Sequence, residues 1–265
     1  MPKKTQPANS PNSSRAALSP AASEQLQSDL LYLKLTHLAD HWAAITTACH
    51  QKQLSFSQSF SELINAETRE KKSRAITRRI KSARFPVTKT LDQFDFTWPQ
   101  KINQDTVRHL FALHFMPAKA NVVWLGGVGL GKTHLATALG YAACQRGHRV
   151  HFTNTIDMIN RLSEAMRKGT LNQALKAYSS PELLILDELG YLPIDQLGAD
   201  LLFQVISARY ERASTVITSN KAYRQWAKIF NNDSALTSAV LDRLLHRCET
   251  VQITGKSFRM KDRLD

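Results

Sequence analysis

The sequence is poor in cysteine, and its cysteines are not spaced for a structural role. Cys49, Cys144 and Cys248 are the three cysteines among 265 residues, and no two of them form a C-x-x-C pair. Disulfide frameworks need several cysteines, and zinc sites usually contain closely spaced pairs. The sequence therefore argues against both kinds of stabilisation and favours a protein kept in a reducing cytosol.

Long apolar runs are also lacking. A membrane span needs about 18 or more consecutive apolar residues, and no run approaches that length. The basic N-terminus is not followed by the apolar core of a signal peptide. We therefore expect a cytoplasmic protein with no membrane partner.

Acidic residues are fewer than basic ones. The chain has 22 Asp and Glu against 35 Lys and Arg, so its formal net charge is +13. Such a balance favours a polyanion partner, although many soluble proteins are basic in a generic way. The distribution of the charges is therefore better evidence for a polyanion partner than the net charge.

One segment concentrates the basic charge. The spacing of its residues predicts a long helix over about 57–83, with a capping box from Ser55 and Gln58 and a stop before Phe85-Pro86. Like charges at helical spacing repel, so this helix would gain from meeting DNA phosphates; the alternative is a merely solvated face. Glu70 is the one acid between residues 69 and 84. The predicted DNA-binding residues are Arg69, Lys71, Lys72, Arg74, Arg78, Arg79, Lys81 and Arg84.

The chain contains a complete phosphate-binding loop, G-x-x-x-x-G-K-[ST], at residues 126–133. An apolar strand at 121–125 enters the loop and an apolar helix leaves it, which is the setting that the motif requires. Backbone N–H groups of such a loop point at a polyphosphate, and the helix N-terminus adds its positive dipole end. The predicted ATP-binding residues are Gly126, Gly127, Val128, Gly129, Leu130, Gly131, Lys132, Thr133 and His134.

A second motif predicts magnesium binding and hydrolysis. The apolar run at 183–186 is typical of a central parallel strand, and it ends in Asp187 and Glu188. Lys132 is expected to reach the β- and γ-phosphates, while Thr133 and Asp187 hold Mg²⁺. Glu188 would polarise the attacking water, which indicates hydrolysis rather than transfer to a small acceptor.

Two further candidates carry weaker signals. Asn220 follows a predicted strand and could orient the attacking water, although an Asn in this position is also a common turn residue. Arg243 and Arg247 lie four residues apart, which places them on one helix face. One of them could act as an arginine finger on a neighbouring subunit, or Asp242 could simply pair with an arginine on a solvated face.

Alternating strands and helices after residue 105 predict a parallel α/β sheet with right-handed crossovers. An apolar stripe from Leu31 to Ile45 predicts a helix over about 24–50. Phe94, Phe96 and Trp98 mark an apolar connector, which we place against the next domain and near the base of the nucleotide. The predicted organisation is a disordered tail at 1–23, a helical domain at 24–85, a connector at 86–104 and an ATPase domain at 105–265.

Several strings together resemble the IstB transposition helper ATPases, which are relatives of the DnaC helicase loaders in the AAA+ class. They are GGVGLGKTHLA at 126–136, LILDELGYLP at 184–193, LLFQVISARYER at 201–212, TSN at 218–220 and DRLLH at 242–246. LKL at 33–35, LADHW at 38–42 and ETRE at 67–70 extend the likeness into the N-terminal segment.

The resemblance implies an AAA+ P-loop fold preceded by a small all-α domain, and an ATP-dependent oligomer on double-stranded DNA that assists a cognate transposase. It would be a bacterial protein, associated with the nucleoid when bound to DNA. By position, Lys132 and Thr133 match Walker A, Asp187 and Glu188 match Walker B, and Asn220 matches sensor 1. Arg243 matches the arginine-finger position.

The resemblance leaves a structural gap and two competing functions. With 12 residues after Ile253, we expect no C-terminal helical lid, and Lys256 and Arg259 are candidates for covering the nucleotide instead. A DnaC-like helicase loader is the main alternative function. A metabolic P-loop kinase is a third, but the sequence offers it neither an acceptor pocket nor a lid.

Overall fold

The computed structural model describes residues 18–98 and 100–259. Most of the predicted tail lies outside these residues, although the first helix already begins within it at Pro20. The chain divides into two compact units, one up to Arg74 and one from Ala75 onward. The predicted domain boundary at residue 85 stays a prediction.

The first unit is helical. It contains α1 (Pro20–Tyr32), α2 (Thr36–Gln51) and the first part of α3 (Phe56–Ala83). Ser19 caps α1, accepting a hydrogen bond from the backbone N of Ala22 at 3.3 Å. The single stripe expected over 24–50 is interrupted, because Lys34 adopts a left-handed conformation with φ +57° between the two helices. The apolar spacing continues across this turn, which is why the pattern alone does not reveal it.

The predicted start and end of α3 are confirmed. The backbone N of Gln58 donates to Ser55 Oγ at 3.4 Å, and the backbone N of Ser55 donates to Gln58 Oε1 at 2.9 Å. These reciprocal bonds satisfy two of the free N–H groups of a helix start. The helix ends at Ala83, and Arg84 follows with φ +61° immediately before Phe85-Pro86.

The second unit is a five-stranded parallel sheet flanked by helices, as predicted. Its strands are β1 (Asn121–Gly126), β2 (Val150–Asn154), β3 (Leu183–Leu189), β4 (Ser214–Ser219) and β5 (Cys248–Ile253). Its α-helices are α4 (Gln104–Phe111), α5 (Lys132–Gln145), α6 (Thr155–Arg167), α7 (Leu171–Ser179), α8 (Gln196–Arg209), α9 (Trp226–Ile229) and α10 (Ser234–Leu245). The strand order is β2-β3-β4-β1-β5.

Apolar side chains cover both faces of this sheet. Along β1, Trp124 packs in the cluster that contains Leu135 and Leu139 of α5, whereas Val123 packs in the opposite cluster with Leu202 of α8. A parallel sheet buried on both faces explains why β1 and β3 read as continuous apolar runs. The ends of these strands lie at one edge, where ligands bind in open α/β sheets.

A buried arginine ties α8 to the sheet. The guanidinium of Arg209 donates to the carbonyls of Tyr178 (2.8 Å), Pro181 (2.9 Å) and Ser214 (2.5 Å). Burial lowers its pKa to about 9. These bonds to main-chain carbonyls assign Arg209 a structural role.

Within the ranges 18–98 and 100–259, no α-helix follows β5. None of the helices among those residues is both long and apolar enough to cross a membrane.

Candidate nucleotide-binding site

The phosphate loop connects β1 to α5, and two of its glycines have no room for a side chain. Gly129 and Gly131 have φ values of +76° and +82°, which glycine adopts at little cost. A Cβ on Gly131 would lie 2.5 Å from Cε2 of Phe94, and one on Gly129 would overlap Ser257. The backbone conformation and these neighbours therefore favour glycine at positions 129 and 131.

Lys132 spans the loop. Its Nζ donates to the carbonyl of Gly127 at 2.6 Å. Partial burial lowers the pKa of Lys132, while the nearby carboxylates of Asp187 and Glu188 raise it in opposition. The ammonium group thus lies between the loop backbone and the acids at the end of β3, where a polyphosphate would need a positive charge.

Thr133 and Asp187 form one hydroxyl–carboxylate cluster. Thr133 Oγ1 lies 2.9 Å from Asp187 Oδ1 and 3.0 Å from Oδ2, and Thr218 Oγ1 donates to Oδ1 at 2.6 Å. Burial raises the pKa of Asp187, and the bonds from Thr218 and Thr133 oppose that shift. A hydroxyl and a carboxylate are hard oxygen ligands of the type that Mg²⁺ prefers, so these residues fit a magnesium site.

Glu188 extends away from that cluster and meets Asn154. Its backbone has φ +61°, and its backbone N donates to Thr218 Oγ1 at 2.9 Å. Asn154 Nδ2 donates to Glu188 Oε2 at 2.8 Å. Sequence reasoning missed both Asn154 and Thr218. Their signal is a polar residue at the carboxyl end of a strand, but only the strand order places them beside β3.

Asn220 follows β4 and lines the same cavity as Lys132 and Glu188. Its Oδ1 is buried and has no hydrogen-bond partner among the described residues. Buried amide oxygens are normally paired, because leaving one unpaired costs about 1–3 kcal/mol. An oxygen of this kind next to a phosphate loop fits an interaction with a ligand or its water.

The cavity has a volume of about 500 Å³. Its polar lining includes residues of the phosphate loop, Glu188 and Asn220. Its aromatic lining includes Phe94, Trp98 and Phe258. A cavity of this size that combines polar groups with aromatic rings suits a nucleotide.

His134 links the loop helix to the connector. Its Nε2 lies 2.8 Å from the carbonyl of Thr90, and its ring packs edge-on against Phe94 at 5.4 Å. Burial lowers the pKa of His134. The structure therefore brings connector residues to the cavity beside the phosphate loop.

Arg243 is not among the residues that line this cavity. Its Nη1 donates to the carbonyl of Ala239 at 3.0 Å, and its guanidinium lies 4.7 Å from the centre of the Phe203 ring. Arg247 Nη1 contacts the carbonyl of Ala118 at 3.4 Å. Neither arginine is positioned to serve the nucleotide site of its own chain, so their predicted role depends on a neighbouring subunit.

The predicted DNA-binding residues of the first unit are partly neutralised by acids on α3. Arg69 lies 4.0 Å from Glu62, Lys71 lies 3.6 Å from Glu67, and Arg74 lies 2.8 Å from Glu70. Two of these acids precede residue 69 and were not counted in the basic segment. Lys72 is exposed and forms no ion pair within the described part of the chain.

The second unit carries the other four predicted DNA-binding residues. Arg78, Lys81 and Arg84 are exposed, and Arg79 is partly buried. Among residues 18–98 and 100–259, none of the four forms an ion pair with an acidic side chain. Their charge is therefore less compensated than that of Arg69, Lys71 and Arg74.

Comparison with known proteins places this site in a family. The model of the family described as "IstB-like ATP binding protein" matches residues 28–265. The ATP-binding protein of insertion sequence IS5376 from Geobacillus stearothermophilus is 38% identical over 231 residues, covering 87% of this chain and 92% of that protein. That of insertion sequence IS21 from Pseudomonas aeruginosa is 39% identical over 239 residues, covering 90% of each chain.

Solved structures agree on the fold. The DnaC helicase loader superimposes with a TM-score of 0.52 at 26% identity, covering 62% of this chain and 96% of that one. AMPPCP-bound DnaA from Aquifex aeolicus gives a TM-score of 0.55 at 23% identity, covering 68% and 54%. These likenesses support the P-loop AAA+ architecture, and the extent of the family match decides the assignment: the chain belongs to the IstB-like ATP binding proteins.

Proposed function

We propose that this protein is an ATPase that assembles on double-stranded DNA in the presence of ATP and Mg²⁺ and assists a cognate transposase. The observation that carries the proposal is that Lys132, Thr133, Glu188 and Asn220 line one cavity, while Asp187 is hydrogen-bonded to Thr133 beside it. The insertion-sequence names of its relatives supply the biological context.

The residues divide the chemistry among them. Bound Mg²⁺ would neutralise charge on the β- and γ-phosphates. Thr133 and Asp187 would hold that ion, and Lys132 would exchange its bond with the Gly127 carbonyl for a phosphate oxygen. Glu188 would accept a proton from the attacking water once it is released from Asn154, and Asn220 would orient that water.

Two features support assembly on DNA. Arg243 lies outside the cavity of its own chain, so a finger from a neighbouring subunit requires an oligomer. The less compensated cations of α3 and Arg84 favour contact with phosphates, which would give strong salt dependence and little sequence preference.

ATP-dependent assembly on DNA tests the proposal. Sedimentation of the purified protein with duplex DNA and a non-hydrolysable ATP analogue should give a large nucleoprotein complex. Lys132→Ala should abolish the complex, while Lys168→Ala, which removes an exposed lysine immediately after α6, should leave it intact. Equal assembly with and without nucleotide would contradict the proposal.

The likeness to the DnaC helicase loader supports a second candidate, a helicase loader. The protein that this chain binds distinguishes the helicase loader from the transposition helper. Binding of the tagged protein to a purified transposase from the same insertion element, with no binding to a purified replicative helicase, would favour the transposition role. The reverse result would favour the loader.

A further inference from the structure

The residues after β5 fold back over the phosphate loop. We refer to residues 254–259 as the C-terminal strap. The strap begins with an antiparallel bridge, in which the backbone N of Lys101 donates to Thr254 O at 3.2 Å and the backbone N of Thr254 donates to Lys101 O at 3.0 Å. This bridge joins the strap to the connector.

The strap then contacts the loop itself. The backbone N of Phe258 donates to the carbonyl of Gly129 at 2.9 Å. Ser257 occupies the space that a side chain at Gly129 would need. The glycine of the loop and the path of the strap are therefore matched to one another.

Trp98 fixes the strap from the connector side. Its indole Nε1 donates to the carbonyl of Lys256 at 3.0 Å, and its ring meets that of Phe258 edge-on, with centroids 5.8 Å apart. An indole N–H bond and an edge-on aromatic pair together define the position of the strap. Both rings also line the nucleotide cavity.

The strap places a cation at the cavity. Arg259 lines the same cavity as Lys132. Two cations that line one cavity repel each other, and an anion bound between them would offset that repulsion. A guanidinium is well suited to bind phosphate oxygens, because its donors form a planar fork.

We propose that the C-terminal strap closes the nucleotide cavity and that Arg259 binds the phosphates of the nucleotide held by its own chain. Among the described residues there is no C-terminal lid domain that could make this phosphate contact. The strap would make it in cis instead. This inference rests on the proposed binding of ATP, and it adds a phosphate-binding residue outside the motifs recognised in the sequence.

Equilibrium binding of fluorescent ATP and AMP analogues to the full-length protein, with Mg²⁺, tests this inference. Arg259→Ala should weaken ATP binding about tenfold, the loss expected for one charge-assisted hydrogen bond, and should change AMP binding much less. Arg259→Lys should retain most of the ATP affinity, since it keeps the charge. Lys256→Ala is the matched control, because Lys256, the other cation that the sequence suggests for covering the nucleotide, does not line the cavity.

Each outcome has a distinct meaning. Unchanged ATP affinity in Arg259→Ala, with normal ATP binding by the parent protein, would overturn the role of Arg259 and leave the proposed function intact. An equal loss for ATP and AMP that Arg259→Lys does not restore would show that Arg259 positions the strap instead of binding phosphate. No binding of ATP by the parent protein would refute the proposed function as well.

Discussion

We expect the contact between Asn154 and Glu188 to restrain the carboxylate that is proposed to activate water. The hydrogen bond measures 2.8 Å and holds Glu188 toward the end of β2. Asn154 also caps α6, because its Oδ1 accepts from the backbone N of Ile156 at 2.9 Å. Removing the donor without removing the cap therefore separates the two roles.

Asn154→Asp performs that separation. The new carboxylate still accepts from Ile156, but it repels Glu188 and should release it. We expect hydrolysis of ATP in the absence of DNA to rise severalfold, with little change in thermal stability. Steady-state phosphate release measures this, and Asn160→Asp on the exposed part of α6 is the matched control. Equal or lower hydrolysis than in the parent protein would contradict a restraining role.

Asp187 gives a prediction about stability. Burial raises the pKa of Asp187 above its ordinary value of 3.8, so the folded chain holds this proton more tightly than the unfolded chain does. Stability from the protonated form is present at low pH and is lost as pH rises through the raised pKa. At neutral pH the ionised Asp187 is therefore a cost to the nucleotide-free protein.

Asp187→Asn removes that charge and keeps an oxygen acceptor for Thr218. We expect the thermal midpoint of the nucleotide-free protein at pH 7 to rise by about 2 °C or more, while Mg²⁺-dependent nucleotide binding is lost. Differential scanning calorimetry measures the midpoint, and Glu188→Gln, at an exposed position, should leave it unchanged. A lower midpoint for Asp187→Asn would show that burial is not the dominant influence on this carboxylate.

At the scale of elements, the basic residues of α3 form two groups that differ in charge compensation. Arg69, Lys71 and Arg74 have acidic partners on the same helix. Lys72, Arg78 and Lys81 are exposed and have no acidic partner in the described ranges. Cations that already have a partner lose part of their interaction with phosphate.

Two triple variants with equal charge change test this difference. Changing Lys72, Arg78 and Lys81 to Gln should weaken binding to all duplex sequences and reduce the salt slope by up to about three. Changing Arg69, Lys71 and Arg74 to Gln should have a smaller effect. Fluorescence anisotropy at several salt concentrations measures both. Equal losses for the two triples would contradict the importance of compensation, and a loss at one sequence only would contradict a phosphate-dominated mode.

Much of the fold is predictable because its signals are local. The apolar runs predict β1 and β3, the Ser55–Gln58 pair predicts the start of α3, and the loop between β1 and α5 follows from its motif. The turn at Lys34 was missed because the apolar spacing continues through it. The spacing of apolar residues does not predict the backbone conformation of a single residue in such a turn.

The missed parts of the site depend on long-range order. Asn154 reaches Glu188 because β2 and β3 are neighbours, with Asn154 in register with Asp187. Neighbouring strands separated by two helices leave no pattern that specifies this register. The strap contacts are likewise distant in sequence, because Trp98 and Lys256 are 158 positions apart.

At the scale of the whole molecule, the nucleotide site of a single chain lacks the arginine finger that the family resemblance implies. Arg243 packs over Phe203 and lies outside the cavity of its own chain. A head-to-tail interface would bring it to the next subunit, and such interfaces generate rings or filaments. This arrangement predicts that each hydrolytic site of the assembly needs two neighbouring subunits, one that holds the nucleotide and one that donates Arg243.

Mixing two inactive variants tests this arrangement. Arg243→Ala should bind ATP normally but hydrolyse it poorly on DNA, and Glu188→Gln should lack the residue that activates water. In a mixed assembly, a site with intact Glu188 can receive Arg243 from a Glu188→Gln neighbour, so an equal mixture should recover activity at about a quarter of its interfaces. Arg247→Ala mixed in the same way tests the other candidate finger. If neither mixture recovered DNA-stimulated phosphate release, or if Arg243→Ala lowered the slow turnover of the monomer as much as that of the assembly, the arginine would act within its own chain.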